Sequence, residues 1–111
     1  MSAVMHETIP QDGAKWHPYA VTGFVYCIVH HERKAVKIGF SKNPQKRFRQ
    51  LQTACADTLT LFDKIPGDRA LEAGFHRIFA ERRLKGEWFA DGDWVVRGLF
   101  GNMAYNARAA A

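Results

Sequence analysis

Cysteine is scarce here: 2 in 111 residues, Cys27 and Cys55, with no ladder of spacings. That excludes a disulfide framework. It also argues against a zinc cage, because the Cys-x-x-His pair in "CIVHH" has no second pair at metal-ligand spacing. Cys27 alternates with Val25 and Val29, the pattern of a buried thiol in a reducing cytosol. No apolar run approaches membrane-spanning length, and no basic segment leads into an apolar one at the N-terminus. The expectation is a soluble, cytoplasmic protein without a membrane partner. Internal repeats are missing too. Acidic residues are outnumbered, 11 against 16 Lys+Arg, giving a net charge of +5 and a pI near 9.5. That excess favours a polyanionic partner, although charge alone does not specify one.

What is present suits one domain with one modest core. Residues 1–22 hold Pro10, Gly13 and Pro18 without sustained periodicity and read as an extended leader, with Trp16 and Tyr19 available to pin onto the body. "GFVYCIVH" (23–30) is β-branched and aromatic and reads as a strand, with Tyr26 and Ile28 on one face and Val25, Cys27 and Val29 on the other. "AVKIGF" (35–40) returns as its hairpin partner, placing Val36, Ile38 and Phe40 on one face and Lys37 and Gly39 on the other. The turn between them has no Asn-Gly or Asp-Gly, so the register stays open.

Gly39 is expected to let the chain turn away toward a helix capped by Ser41 or Asn43, with Pro44 in its first turn. Phe48, Leu51 and Cys55 form that helix's apolar stripe. "TLTLFDKI" (58–65) alternates as a third strand ended by Pro66-Gly67. Asp68 caps a second helix that buries Leu71, Phe75, Ile78 and Phe79. "EWF" is a short extended piece. A last helix, capped at Asp91 or Asp93, packs Trp94, Val95, Leu99 and Met103, and residues 101–111 trail off as a tail. The order β-β-α-β-α-α predicts an α+β fold: a small, three-stranded, mainly antiparallel sheet flanked by helices over residues 23–100.

Four polar residues stand where the apolar pattern does not need them: Tyr26, Lys37, Arg47 and Glu72. Each has a plain explanation alone: a half-buried aromatic, an edge charge, a solvated arginine, a dipole-compensating glutamate. Their joint spacing says more. "FVY", "KIG" followed by a serine, "NPQKRFRQL" with Arg47 eight residues after Gly39, "EAGFH" and "GEWF" occur in order. This series resembles the GIY-YIG nuclease superfamily, and within it the small branch named after a phage open-reading-frame-172 protein.

The resemblance implies metal-dependent hydrolysis of DNA phosphodiester bonds by an endonuclease or nickase. Tyr26 matches the first-motif tyrosine, and Lys37 stands where the second tyrosine usually does. Arg47 matches the helix arginine, and Glu72 the glutamate that binds Mg²⁺ or Mn²⁺. Phe24 replaces the usual glycine before Val25. A hard carboxylate oxygen suits such a cation, Arg47 can fork onto phosphate, and Tyr26 can position or deprotonate water. Lys37 is expected either to help ionise Tyr26 or to fix that water. His76, four residues after Glu72 on the same helix, is a further candidate for phosphate contact or proton transfer, or else a locally hydrogen-bonded packing histidine. Glu87 reads as a rim residue beside the core-sealing Trp88 and Phe89. Lys42, Lys46, Arg49, Arg69 and Arg83 are the expected contacts to the DNA backbone, with Arg77, Arg82 and Lys85 in reserve. One site cuts one strand, so double-strand cleavage calls for a homodimer or two events. Two other readings compete: a non-catalytic DNA-binding module on the same fold, and a protein-interaction adaptor using Trp16 and Tyr19.

Overall fold

β1 (Gly23–His30) and β2 (Ala35–Ser41) pair antiparallel, with His30 opposite Ala35, Ile28 opposite Lys37 and Tyr26 opposite Gly39. The computed structural model describes residues 21–110. Trp16, Tyr19 and nearly all of the expected leader lie outside the described residues. The β1–β2 turn closes without glycine: Lys34 takes a left-handed φ of 51° and donates its N–H to the His31 carbonyl at 3.2 Å. Such a conformation costs a side-chain-bearing residue about 1–2 kcal/mol. Here the Lys34 carbonyl also accepts from the Asp91 N–H at 2.9 Å, tying the turn to a distant segment.

β3 (Leu59–Gly67) pairs antiparallel with the other side of β1, and a bulge leaves Phe62 out of register between Cys27 and Ile28. Pro66 belongs to this strand rather than ending it, which an edge strand tolerates. Between β2 and β3, α1 (Pro44–Thr53) starts at Asn43, whose Oδ1 accepts from the Lys46 N–H at 3.1 Å. After β3, α2 (Arg69–Ile78) starts at Asp68, whose Oδ1 accepts from the Leu71 N–H at 3.1 Å. A single 3-10 turn (Ala80–Arg82) follows, then the short strands β4 (Arg83–Lys85) and β5 (Trp88–Ala90). α3 (Val95–Ala110) completes the described chain.

The fold is α+β with an antiparallel sheet and three helices, but the sheet has five strands in the order β3-β1-β2-β5-β4, not three. "RLK" and "WFA" are three residues each, too short to show a period of two. They become strands because β5 finds the open edge of β2, pairing Ala35 with Ala90 and Lys37 with Trp88.

The two sheet faces are covered differently. α2 and α3 pack Leu71, Phe75, Phe79, Val96, Phe100 and Ala104 against Val25, Cys27, Val29, Val36 and Ile38. α1 covers the other face, setting Phe48, Leu51 and Cys55 against Tyr26, Ile28 and Leu59. The expected stripe of α1 is therefore the buried one. On α2, Ile78 is exposed, and so are Trp94 just before α3 and Val95, Leu99 and Met103 on it. α3 is rotated by one residue from the expectation because Asp91, fully buried, anchors its start. Asp91 Oδ1 accepts from the Val96 N–H at 2.8 Å, and Oδ2 accepts from Arg97 N at 3.2 Å and Arg97 Nε at 2.6 Å. That anchor turns Val96, Phe100 and Ala104 to the sheet. The expected tail from residue 101 is the second half of this helix.

Candidate active site

β5 reaches along β2 only as far as Lys37. Beyond that point no strand among the described residues continues along this edge of β2, and the edge is satisfied otherwise. The Ile38 N–H donates to the Glu87 carbonyl at 3.0 Å, and the Ile38 carbonyl lies 2.8 Å from His76 Nε2. This gap is where groups from both faces of the sheet meet.

Tyr26 arrives from the α1 face. Its cross-strand partner is Gly39, and the phenol lies over it: a Cβ at 39 would sit 2.5 Å from Tyr26 Cζ and closer still to the hydroxyl oxygen. Gly39 is thus a clearance for the tyrosine within a continuous strand, not the point where the chain turns away. Arg47, from α1, faces the same hydroxyl. Glu72 and Glu87 lie close enough to act on it electrostatically. Burial holds the Tyr26 hydroxyl above its ordinary value of 10.0, and the two carboxylates add to that rise. Arg47 is the cation that opposes it.

Glu72 arrives from α2, one turn before His76. The residue is 7% exposed, and its Oε2 is buried with no hydrogen-bond partner among the described residues. Its Oε1 lies 3.8 Å from Arg69 Nη1, and the Arg69 guanidinium spreads over the Phe40 ring and is otherwise open to solvent. Burial first, and then the facing Glu87 carboxylate, raise the Glu72 carboxyl above its usual range. Glu87 stands in the two-residue turn between β4 and β5, after Gly86 with its left-handed φ of 56°. Lys37 Nζ donates to Glu87 Oε1 at 2.8 Å. Burial pushes the Glu87 carboxyl up, but Lys37 first, with Glu72 and His76 adding to it, brings the group below the usual range. Potential ligand atoms of Glu72, His76 and Glu87 all lie within 4.8 Å of one another.

The structure therefore brings Tyr26, Lys37, Arg47, Glu72 and His76 to one corner. It does not place Lys37 on the tyrosine: Lys37 stands opposite Ile28 and spends its charge on Glu87, so the expected ionising contact is not made. His76 is packed against Phe89, with ring centroids 5.2 Å apart, and secures the β2 edge. Glu87 is the residue the sequence placed at a rim and the fold places at the centre. The signal for it was weak: a glutamate after a glycine, between two segments too short to recognise as strands.

The expected backbone cations divide. Lys42, Lys46 and Arg49 are exposed around the start of α1, and none makes an ion pair among the described residues. Arg83 is used within its own hairpin, donating to the Gly86 carbonyl and lying over Phe89. Arg82 forks onto Asp93 at 2.7 and 2.8 Å.

A second polar cluster joins His30, Cys55 and Asp57. His30 Nε2 lies 3.4 Å from Asp57 Oδ2 and 3.8 Å from Cys55 Sγ. Its Nδ1 accepts from the Arg33 N–H at 3.2 Å. That assigns the neutral ring's proton to Nε2, the atom that would have to ligate a metal. The reverse holds at metal-binding histidines, where the second nitrogen donates. We read this cluster as a hydrogen-bonded brace between β1 and the segment after α1.

The fold and the corner define a small α+β domain with a paired, buried carboxylate beside a phenol and several cations. The T5orf172 domain model matches residues 23–99, and the chain belongs to that nuclease-associated family. Comparison with curated proteins and with solved structures returns no match. Among the described residues, no helix is long and apolar enough to cross a membrane.

Proposed function

We propose that this chain is a GIY-YIG-type endonuclease that hydrolyses DNA phosphodiester bonds with Mg²⁺ or Mn²⁺, nicking one strand per site. The observation that carries this reading is the Glu72 Oε2 atom, buried without a partner beside Tyr26 and Arg47. A surface that merely holds phosphate has no use for a buried anion there. Leaving a carboxylate oxygen desolvated and unpaired is costly, and a hard divalent cation is a partner that removes the cost while keeping the oxygen ionised. The residues present fit such an ion, with Glu72 as its ligand.

When bound, the ion supplies Lewis acidity at the phosphoryl oxygens. Arg47, always protonated, forks onto the non-bridging oxygens where charge grows in the transition state. Tyr26 carries its proton at neutral pH and orients the attacking water through its hydroxyl. Arg47 is the group that eases proton loss from that phenol as the reaction proceeds. His76 acts as a positioning residue by holding the open edge of β2 in place. Lys42, Lys46, Arg49 and Arg69 lead the DNA backbone to the corner, giving affinity that falls with salt and carries no sequence information.

The test is incubation with supercoiled plasmid and Mg²⁺ or Mn²⁺, beside chelator, Glu72→Gln and Tyr26→Phe controls. Open circles should form only with wild-type protein and metal. DNA binding without nicking would reassign the chain as a binding module on this fold. Loss of both would favour a protein-interaction adaptor.

A further inference from the structure

We propose that Glu87 is a second carboxylate ligand of the divalent cation, facing Glu72 across the corner and held in place by Lys37. The inference rests on the nuclease reading above but concerns a residue that reading does not use.

The first support is the geometry of the pair. Ligand atoms of Glu72, His76 and Glu87 already lie within 4.8 Å of one another. Two oxygens on one Mg²⁺ sit at most about 4.2 Å apart, twice the usual bond length. A small side-chain adjustment therefore closes the site around an ion. The second support is independent: Glu72, a member of this cluster, is 7% exposed, and its Oε2 is buried without a hydrogen-bond partner among the described residues. Glu72 is buried and Glu87 is partly exposed, and a cation between them would neutralise the buried carboxylate from the solvent side.

The third support is how firmly Glu87 is held. Its carbonyl accepts from Ile38 N–H at 3.0 Å, and its Oε1 accepts from Lys37 Nζ at 2.8 Å. Main chain and side chain are both fixed to β2, the strand that also carries the clearance for Tyr26. A lysine grip on one oxygen leaves the other available, an arrangement that positions a ligand rather than retiring it. His76 Nε2 is committed to the Ile38 carbonyl. That contact does not occupy Nδ1, and a donor set led by two carboxylate oxygens favours Mg²⁺ or Mn²⁺ over softer metals.

The test measures metal affinity without reference to turnover. Full-length wild type, Glu72→Gln, Glu87→Gln and Glu87→Asp are titrated with Mn²⁺ and followed by electron paramagnetic resonance of the free ion. Glu87→Gln keeps the shape and an acceptor for Lys37, so a melt in chelator should show a folded protein, lowered only by the loss of the Lys37 ion pair. Loss of a ligand should weaken Mn²⁺ binding at least as much as loss of an outer-shell partner, roughly 10- to 100-fold. Glu87→Asp keeps the charge at shorter reach and should fall between wild type and Glu72→Gln. Should Glu87→Gln fail to fold, the aspartate variant decides alone. Wild-type affinity in both Glu87 variants would overturn the proposal. If nicking were then still abolished by Glu72→Gln, the nuclease reading would stand without it. A wild type that binds no Mn²⁺ at millimolar concentration would overturn both.

Discussion

Two buried carboxylates in this domain live under opposite conditions. Asp91 is fully buried, and both of its oxygens are engaged, by Val96 N–H, Arg97 N–H and the Arg97 guanidinium. Arg97 Nη2 also donates to the Asp91 carbonyl at 2.7 Å. Glu72 is nearly as buried, yet one oxygen has no partner and its neighbour across the corner is another carboxylate. Asp91 starts a helix and fixes which side of it faces the sheet. Glu72 stabilises nothing comparable, and its desolvation works against the fold. A buried charge that fails to stabilise its own fold is a better functional candidate than one that does, because an apolar or amide residue would suit the fold better in its place.

That contrast makes a double dissociation the strongest test. Glu72→Gln should lower the rate of plasmid nicking by about 10³-fold or more, since metal assistance contributes several kcal/mol. In chelator its melting temperature should equal or exceed that of wild type. Asp91→Ala should do the reverse to the fold, because it leaves Arg97 buried and unpaired. A loss of about 3–5 kcal/mol is expected, measured by urea denaturation. Against a typical total of about 5–15 kcal/mol, this approaches unfolding. If Glu72→Gln destabilised the protein as Asp91→Ala does, Glu72 would be structural and the comparison would collapse.

A smaller effect is expected at the clearance between the two strands. Gly39→Ala puts a methyl where the Tyr26 ring lies. Overpacking of this kind costs about 1–3 kcal/mol. The ring must shift, so nicking should fall by more than the stability change implies, while Mn²⁺ affinity at Glu72 is retained. Equal losses in Gly39→Ala and in a stability-matched core variant on the α3 side, such as Val96→Ala, would show that Tyr26 has no special placement.

Much of the corner could be read from the sequence, for a physical reason. Strand periodicity of two groups Tyr26 with Ile28 on one strand and Lys37 with Gly39 on the next, and the antiparallel register then brings these two sets to one face. Asn43 and Asp68 announce their helices because a capping side chain acts within three residues of itself. Glu87 could not be read this way. Its position depends on β4 and β5, whose three residues each are recruited by the open edge of β2 rather than by their own pattern. α3 misled for a different reason. Val95, Leu99 and Met103 form one apolar stripe, and Val96, Phe100 and Ala104 form another one residue on. The first carries more exposed apolar bulk, and the second wins because Asp91 ties down the start of the helix and Ala104 lets it approach closely. Lys37 lies on the strand face that alternation gives it, but its partner is Glu87 rather than Tyr26, and that partner could not be named until the β4–β5 turn was in place.

The smallest effect expected is a slope in stability with pH. Glu72 is raised above its ordinary value of 4.5, chiefly by burial and next by Glu87. Between that value and the raised one, the folded state binds more protons than the unfolded state. Its contribution is therefore fully present below pH 4.5 and is lost as pH rises through the raised value. Glu87 has the opposite sign in a different window: Lys37 lowers it, so its contribution is present above 4.5 and is lost as pH falls through the lowered value. Metal-free wild type should thus lose stability just above pH 4.5, by at most about 1.4 kcal/mol per pH unit for one proton. Urea midpoints in chelator would record it. Glu72→Gln should flatten that segment, and Glu87→Gln should shrink it by removing the facing charge. An unchanged slope in both variants would mean that the two carboxylates do not face each other in solution, and the contrast with Asp91 would lose its basis.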